Sequence, residues 1–269
     1  MKNKVAIITG ASSGIGRALA KKYAEQGWNL VIAARSESGL NKTKSLCKLK
    51  EDNILAVQMD VSIEDENQKL VAACIEKFGK LDLFIANAGI TMKGLFQELS
   101  MEVFHKVMNT NYWGVVYGAK YAVPELLKSK GSFVGVSSVA GFKGLPGRTA
   151  YSASKHAVNG FIDTLRTENL KTGLHVLLAC PGFTNTNTRK NALLPDGSIQ
   201  GDTPREEGKM MQPETVAEKV FIAVERRKRK LVLTREGKLI LLLNKLAPVF
   251  LDKQVYKSFA QEPNSPLPK

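Results

Sequence analysis

The sequence predicts an α/β fold built on a doubly wound parallel sheet. Short runs of aliphatic residues alternate along the chain with longer amphipathic stretches. Most of the short runs are apolar on both faces, as strands covered by helices on both sides must be. Such alternation is typical of right-handed strand–helix–strand units in one sheet. The composition agrees, because 43% of the 269 residues are hydrophobic and a chain of this length can bury one large core.

Length and pattern predict each element in turn. The predicted strands are Val5–Thr9, Asn29–Ala33, Ile54–Met59, Leu81–Ala86, Ser132–Ser137, Leu174–Ala179 and Leu231–Thr234. The stretches long enough for helices include Gly16–Glu25, Glu64–Phe78, Met101–Leu127 and Tyr151–Leu170, and another helix opens at Pro213. No linker or repeat precedes residue 183, which favours one domain. Residues 183–212 are polar and rich in turn formers, and so long a loop is usually a functional lid or disordered.

Charge and cysteine content narrow the functional classes. Lys and Arg number 39 against 25 Asp and Glu, a net charge of +14. More than half of the excess lies in the last 44 residues, which hold 11 basic and 3 acidic side chains. Tails of this kind often meet anionic partners. Three cysteines without a CxxC spacing exclude a disulfide scaffold and a cysteine-rich zinc module. That pattern, and a first apolar run of only four residues, predict a cytoplasmic protein.

A glycine-rich turn follows the first predicted strand. Glycines permit a tight turn and let bare backbone approach a pyrophosphate, and the N-terminus of the next helix attracts the same anion. At the first strand–helix junction of a doubly wound fold, this pattern predicts a dinucleotide site rather than an ordinary turn. The candidate binding residues here are Thr9, Gly10, Ser12, Ser13, Gly14, Ile15 and Gly16.

Arg35 indicates which dinucleotide is bound. An NAD site carries Asp or Glu at the end of the second strand to hold the ribose 2′-hydroxyl, and this chain has Arg35 there. Because guanidinium binds phosphate bidentately, we expect NADP(H); a solvated surface arginine is the alternative. Further cofactor candidates end the third and fourth strands: Asp60, Val61, Asn87, Ala88 and Gly89. Asp60 could equally cap the helix that follows it, with Ser62 the stronger cap candidate.

Ser138, Tyr151 and Lys155 form a candidate catalytic set. Tyr151 and Lys155 are four residues apart and share one helix face, and Ser138 ends a strand at the same sheet edge. A tyrosine pKa of about 10 is too high for a base at neutral pH. A neighbouring ammonium and an oxidised nicotinamide ring would lower that pKa. The Ser138 hydroxyl could hold a substrate oxygen on which charge develops.

Together with the turn at residues 9–16, these residues resemble the short-chain dehydrogenase/reductase family. The match runs from residue 5 to about residue 186, through Asn87-Ala88-Gly89, Asn111, Ser138, Tyr151, Lys155 and Pro181-Gly182. The resemblance implies hydride transfer at nicotinamide C4. It implies that Tyr151 gives or takes the hydroxyl proton and that Lys155 holds ribose hydroxyls and lowers the tyrosine pKa. It also implies that Ser138 orients the carbonyl and that Asn111 helps a water-linked proton relay, although Asn111 could instead simply bond backbone within its helix.

The resemblance also extends the cofactor site to Pro181, Gly182, Thr184 and Thr186. Thr186 matches a family threonine near the carboxamide, whereas Thr184 stands where the family usually has a β-branched aliphatic residue. Ser13 departs from the basic residue of many NADP-dependent members, which leaves Arg35, aided by Arg17 or Ser36, to hold the phosphate. Residues 150–157, residues 194–198 and the tail are similar to the branch of dehydrogenase/reductase member 7B and 11-beta-hydroxysteroid dehydrogenase. That branch implies lipophilic carbonyl substrates and membrane association.

The substrate region and the tail are predicted from apolar residues. The candidate pocket residues are Phe142, Leu145, Phe183, Leu193, Leu194, Met210 and Met211. Such a pocket suits a lipophilic ketone or aldehyde, and packing of the loop is the alternative for each residue. The leucine-rich run at 239–251 is too short for a membrane-spanning helix, which needs ~20 apolar residues. A helix lying on an anionic membrane fits it as well as one packed over the cleft or in a subunit interface.

The sequence therefore predicts a single-domain, Rossmann-type NADP(H)-dependent oxidoreductase. Residues 1–234 form the dinucleotide-binding and catalytic domain, with residues 183–212 as substrate loop, and residues 235–269 form a basic, leucine-rich C-terminal extension. The expected partners are a small carbonyl or alcohol, further copies in a homodimer or homotetramer, and an anionic membrane surface; no nucleic acid and no metal site are predicted. The alternatives are reduction of 3-oxoacyl groups on a carrier protein and a non-catalytic dinucleotide sensor.

Overall fold

In the part of the chain that the structure describes, seven parallel strands form the sheet that the sequence predicts. The computed structural model describes residues 4–201, 210–262 and 265–268. The strands are β1 (Val5–Thr9), β2 (Asn29–Ala34), β3 (Ile54–Gln58), β4 (Leu83–Ala86), β5 (Ser132–Val136), β6 (His175–Cys180) and β7 (Lys230–Val232). Their order in the sheet is β3-β2-β1-β4-β5-β6-β7. The order reverses between β1 and β4, and ligands of such sheets bind at this reversal.

Helices cover both faces of the sheet. They are α1 (Gly14–Glu25), α2 (Glu37–Cys47), α3 (Glu64–Phe78), α4 (Met101–Met108), α5 (Gly114–Ser129), α6 (Thr149–Glu168), α7 (Pro213–Glu225), α8 (Arg235–Leu246) and α9 (Pro248–Ala260). Successive residues of a strand point to opposite faces, and β1 illustrates the result. Ala6 and Ile8 pack with α1, α2 and α7, whereas Val5 and Ile7 pack with α3, α5 and α6. Two apolar cores thus hold the sheet between two layers of helices.

The structure divides two stretches that the sequence suggests are continuous. The stretch predicted as one helix over 101–127 is α4 and α5, joined by a π-helical turn at Asn109–Trp113. A π-turn inserts an extra residue into a helix, and such turns are frequent at functional sites. The tail forms the two helices α8 and α9, which divide at Pro248 because proline lacks the amide that would continue α8. Helix α2 was not marked by the sequence pattern.

The long segment after Pro181-Gly182 packs onto the body of the protein where the structure describes it. The Met211 amide donates to Phe183 O at 3.0 Å, which brings the two ends of the predicted loop together. Leu193 pairs with the segment after β4, where its amide donates to Thr91 O at 3.0 Å. Parts of the predicted regions lie outside the described residues: residues 1–3 of the first domain, 202–209 of the loop, and 263, 264 and 269 of the extension. Within the described ranges, no helix combines the length and apolarity needed to cross a bilayer.

Candidate active site

A large cleft opens at the carboxyl edge of the sheet, where the strand order reverses. Its volume of about 2120 Å³ exceeds the roughly 300–1,000 Å³ of an ordinary small-ligand pocket, so it has room for a dinucleotide and a second ligand. The predicted cofactor residues that line it are Gly10, Ser12, Ser13, Gly14, Ile15, Gly16, Arg35, Asp60, Val61, Asn87, Ala88, Gly89, Tyr151, Lys155, Pro181, Gly182, Thr184 and Thr186. The sequence prediction and the cleft therefore coincide at nearly every position.

The glycine turn forms a cradle that side chains would fill. Gly10 has a φ of +66°, a backbone conformation that glycine adopts without strain. A Cβ atom on Gly10 would lie 2.8 Å from Ala88 Cα, and one on Gly16 would lie 2.2 Å from Gly10 O. The turn is followed by the N-terminus of α1, whose free N–H groups favour an anion. These residues fit the pyrophosphate of a dinucleotide.

Thr9 lies behind this cradle rather than in it. Its side chain is buried, and its Oγ1 accepts hydrogen bonds from the amides of Asn87 and Ala88 at 3.1 and 3.2 Å. The Asn87 side chain in turn donates a hydrogen bond to Thr9 O at 2.9 Å. Thr9 therefore joins the ends of β1 and β4 and does not line the cleft, and its contact with the cofactor stays a prediction.

Arg35 stands at the end of β2 on the rim of the cleft. Its side chain is 58% exposed, and its Nη1 lies 3.8 Å from Asp60 Oδ2. Asp60 Oδ1 accepts hydrogen bonds from the Ser62 amide and hydroxyl at 2.9 and 2.8 Å. Asp60 thus closes the turn before α3 and faces Arg35, but no side chain caps α3, so the capping alternative for Asp60 is wrong. Ser62 does not cap α3, whose preceding residue is Ile63.

Ser138, Tyr151 and Lys155 converge at the opposite end of the cleft. Ser138 lies two residues after β5 and accepts a hydrogen bond from the Ala140 amide at 3.2 Å, which closes the short 3₁₀ turn at Val139–Gly141. The Ser138 hydroxyl also faces the Tyr151 phenol and acts to lower its pKa. The Lys155 ammonium lies 5.8 Å from the centre of the Tyr151 ring and donates to Val136 O at 3.0 Å. The three residues of the candidate catalytic set therefore lie together at this end of the cleft.

Burial controls the titration of both Tyr151 and Lys155. Desolvation raises the pKa of the Tyr151 phenol, and this outweighs the lowering caused by the Ser138 hydrogen bond and the charges of Arg148 and Arg189. Burial also lowers the pKa of Lys155 to about 8. In the protein alone, the phenol pKa therefore moves upward, opposite to the direction expected from a neighbouring ammonium and an oxidised nicotinamide. Arg148 and Arg189 had no motif to mark them in the sequence.

Asn111 lies in the π-helical turn and is fully buried. Its Oδ1 accepts from the Ile90 amide at 2.8 Å, and its Nδ2 donates to Ile90 O at 2.9 Å. The same Nδ2 donates to the Ser154 hydroxyl at 3.0 Å. The side chain bonds backbone, as the alternative interpretation expected, but in the segment after β4 rather than in its own helix. Asn111 therefore fixes the Gly89–Ile90 segment against α6, which carries Tyr151 and Lys155.

The apolar end of the cleft is built partly from the predicted substrate residues. Leu145, Phe183, Leu193, Met210 and Met211 line it. The lining formed by the described residues does not include Phe142 or Leu194. Phe142 instead packs in the core beside α3, α5 and α6, with the Lys230 ammonium 4.7 Å from its ring centre. For these two residues the structure corrects the prediction, because a side chain near the catalytic edge can turn inward.

Helices α8 and α9 form a roof over this end of the cleft. Leu239, Ile240, Leu243, Leu251, Val255 and Phe259 contribute apolar lining. Asn244 Nδ2 donates to Phe142 O at 2.9 Å, and Lys143 forms an ion pair with Asp252. A Cβ atom on Gly237 would lie 2.8 Å from Val139 Cγ2. The roof is thus attached to the chain segment that immediately follows Ser138, and the cleft-covering alternative for the tail is the arrangement observed.

The fold and this site define a nicotinamide dinucleotide-dependent oxidoreductase. A sequence profile described as short chain dehydrogenase matches residues 4–195. The chain therefore belongs to the short-chain dehydrogenase/reductase family, whose members act on CH–OH groups. Among the described residues, no three His, Cys, Asp or Glu side chains are grouped so that they could hold a metal ion.

Curated relatives support the predicted branch of the family. The chain is 36% identical to "Dehydrogenase/reductase SDR family member 7B" of Xenopus tropicalis over 256 residues, which covers 92% of this chain and 83% of the relative. It is 39% identical to "11-beta-hydroxysteroid dehydrogenase-like 4A" of Arabidopsis thaliana over 196 residues, covering 72% of this chain and 65% of that protein. The similarity to both proteins confirms the resemblance inferred from the motifs and the tail.

Solved structures share the fold and carry dinucleotides of both kinds. An alcohol dehydrogenase of Thermococcus sibiricus complexed with 5-hydroxy-NADP matches with a TM-score of 0.75 and 27% identity, over 86% of this chain and 95% of that one. A short-chain dehydrogenase/reductase of Burkholderia phymatum in complex with NAD matches with a TM-score of 0.79 and 28% identity, over 100% of this chain and 99% of that one. A nicotinamide dinucleotide is thus the cofactor class.

Replacing Gly16 by alanine should block cofactor binding, because its Cβ atom would meet Gly10 O at 2.2 Å. We expect the Kd for NADPH, measured by isothermal titration calorimetry, to rise by more than about tenfold, since the turn must open by about an ångström to admit a methyl group. Gly160→Ala is the matched control, since nothing lies within 4 Å of its added Cβ in α6. Wild-type affinity in Gly16→Ala would contradict the role of the turn as a phosphate cradle.

Proposed function

We propose that the protein is an NADPH-dependent reductase that converts a lipophilic ketone or aldehyde into the alcohol. The observation that carries this proposal is the convergence of Ser138, Tyr151 and Lys155 beside an apolar space roofed by α8 and α9. A proton donor, a hydroxyl to hold an oxygen and an ammonium meet where the cleft changes from polar to apolar. A dinucleotide sensor has no use for this combination.

The protonation state of Tyr151 suits the reductive direction. Because burial raises the pKa of the phenol, the side chain carries its proton at neutral pH and is ready to act as an acid. When bound, the dinucleotide supplies the hydride. Ser138 holds the carbonyl oxygen by a hydrogen bond, and Tyr151 delivers its proton to that same oxygen as negative charge develops there.

Lys155 supports this proton transfer electrostatically. With a pKa of about 8, its ammonium is mostly charged at pH 7 and stabilises the phenolate that remains when Tyr151 has given up its proton. The bond to Val136 O fixes its direction, and an ammonium carries three donors, so it can also hold ribose hydroxyls. Asn111 keeps Ser154 and Ile90 in place beside this path and thereby supports the relay that returns a proton to the phenol.

Tyr151→Phe should abolish turnover while leaving the dinucleotide site intact. General acid catalysis contributes roughly 10²–10⁴-fold, so we expect kcat to fall by at least about 100-fold and the Kd for NADPH to change by less than about twofold. Oxidation of NADPH would be followed at 340 nm with steroid ketones, retinal, aliphatic aldehydes and a 3-oxoacyl thioester.

Tyr121→Phe provides the control for this experiment, because its hydroxyl is exposed and bonds Glu64 away from the cleft. Full activity in Tyr151→Phe would show that Tyr151 is not the proton donor. Turnover of the 3-oxoacyl thioester alone would instead favour the carrier-protein alternative, and the absence of turnover with every compound would favour a sensor.

The preference for NADP(H) rests on the surroundings of Arg35. The half-exposed guanidinium lies at the rim beside Ser36, whose Oγ accepts from the Gly39 amide at 3.1 Å and caps α2. The N-terminus of a helix and an arginine both attract a phosphate group. Asp60 faces the guanidinium, and at 3.8 Å this partly exposed pair is weak. A 2′-phosphate can therefore take its place.

Arg35→Asp should reverse the cofactor preference. Hydrogen bonds to charged groups are worth about 1.5–3 kcal/mol, which corresponds to a rise of roughly 10- to 100-fold in the KM for NADPH, while the KM for NADH should fall. Steady-state kinetics with both cofactors measure this. Arg226→Asp, the same charge change at the exposed end of α7, should leave the ratio unchanged, and an unaltered ratio in Arg35→Asp would show that another residue discriminates.

We also propose that the outer face of the roof contacts an anionic membrane. Leu246 is 73% exposed and Val249 is 67% exposed, at the junction of α8 and α9. Lys245 is exposed beside them. Apolar side chains next to basic ones suit an interface that carries anionic lipid. Leu239 and Phe250 lie both on this face and at the cleft, so a lipophilic substrate could enter from the membrane surface.

We also propose that copies of the chain associate with one another. Family members are commonly oligomeric, and Trp113, 42% exposed, stacks on Tyr117 at 5.6 Å on the outside of α5. Aromatic residues of this kind are enriched at protein interfaces, which supports a homodimer or homotetramer.

Cys47, Cys74 and Cys180 are unpaired and buried, which supports the cytoplasm as the compartment.

Vesicle co-sedimentation tests the membrane contact. Wild-type protein should sediment with vesicles containing phosphatidylserine at low ionic strength and be released by high salt, because the attraction of the basic residues is screened. A Leu246→Glu, Val249→Glu double variant should remain in the supernatant. Leu170→Glu changes another side chain, 75% exposed at the far end of α6, and should bind as wild type. Absence of wild-type binding at low salt would exclude this contact.

A further inference from the structure

Thr43 and Arg17 connect the glycine turn to the start of α2. The Thr43 hydroxyl lies 2.8 Å from Ala11 O and 3.0 Å from Gly39 O, and it accepts from Arg17 Nε at 3.0 Å. Arg17 Nη2 also hydrogen-bonds Ser12 O and lies 3.5 Å from Gly39 O. The side chains of Thr43 and Arg17 thus hydrogen-bond to backbone carbonyl oxygens of both the glycine turn and the start of α2.

The two segments also touch directly at Gly39. A Cβ atom there would lie 2.7 Å from Ser12 Cβ and 3.0 Å from Ser36 Oγ. Thr43 is completely buried, one helical turn after Gly39 on the same face of α2. The start of α2 is therefore seated on the glycine turn, and no side chain larger than hydrogen fits between them.

We propose that Thr43 and Arg17 form a clamp that positions the 2′-phosphate site. The clamp holds Arg35, Ser36 and the N-terminus of α2 at a fixed distance from the turn that receives the pyrophosphate. This inference rests on the proposed preference for NADP(H). Thr43 acts through its neighbours as a positioning residue, and the phosphate itself would meet Arg35 and Ser36.

Loss of the clamp should affect the 2′-phosphate more than the pyrophosphate. The glycine turn has other supports, because the Ala11 amide donates to Ala33 O at 3.1 Å and Asn87 Nδ2 donates to Thr9 O at 2.9 Å. Removal of the Thr43 hydroxyl takes away its bonds to Ala11 O and to Arg17 Nε, and the start of α2 keeps the weaker link through Arg17 Nη2. The pyrophosphate cradle then keeps its shape while the neighbouring site becomes less well defined, and only a cofactor with a 2′-phosphate senses the difference.

Thr43→Val tests this, because valine keeps the branched shape and removes the hydroxyl. We expect the KM for NADPH to rise about three- to tenfold, as for the loss of one buried hydrogen bond. The KM for NADH should change by less than about twofold and kcat at saturating NADPH should stay the same. Thr43→Ser should restore the wild-type values. Thr167→Val is the matched control, since that hydroxyl bonds Asp163 O, also four residues back, on exposed α6 surface.

Binding of fragments gives a readout that a general loss of stability would not move. Calorimetry should show weaker binding of 2′,5′-ADP to Thr43→Val and unchanged binding of 5′-AMP. Thr43→Ala, which also removes the hydroxyl but leaves a smaller side chain, should alter the two affinities in the same way and serves if Thr43→Val folds poorly. Equal losses for both fragments, or no loss for either, would overturn the clamp.

The same data separate this inference from the proposed cofactor preference. A wild-type enzyme that prefers NADH overturns the preference and the clamp together. A wild-type enzyme that prefers NADPH and responds to Arg35→Asp, but whose Thr43→Val variant loses both cofactors equally, overturns the clamp alone.

Discussion

The close approach of backbone where β1 meets β4 is the constraint on which the rest of the site depends. Gly10, Gly16 and Ala88 come so near to one another that a single added Cβ atom would separate them. Thr9 and Asn87 hold the two strand ends together from behind. Because the strand order reverses at this junction, the helices that follow β1 and β4 lie on opposite faces of the sheet and leave a crevice at its edge. The dinucleotide site is therefore a product of packing at the centre of the sheet.

From that junction the polar and apolar parts of the cleft divide along the strand order. The β2 and β3 side provides Arg35 and Asp60 at one end of the cleft. The β5 side and α6 provide Ser138, Tyr151 and Lys155. Beyond them, α8 and α9 replace solvent with aliphatic side chains. Burial raises the pKa of Tyr151 and lowers that of Lys155, so the packing around this part of the cleft also shifts the titration of both side chains.

Local sequence signals predicted most of the sheet and of the catalytic set. Tyr151 and Lys155 are related by one helical turn, and Ser138 and the glycine turn follow strands directly, so spacing alone locates them. Features that depend on contacts distant in sequence escaped. The bond between Asn244 and Phe142 spans 102 residues, so the sequence could offer a tail packed over the cleft only as one of several alternatives. Thr43 carries no motif, and Asn111 gave no local sign of its bond to Ile90 across 21 residues.

The roof lies at the end of the chain, after the last strand has been placed. It meets the substrate space from the side opposite the glycine turn and is joined to the body through a few contacts such as Lys143 with Asp252. Sequence change in α8 and α9 can therefore reshape the space offered to an organic molecule without disturbing the sheet or the nucleotide crevice.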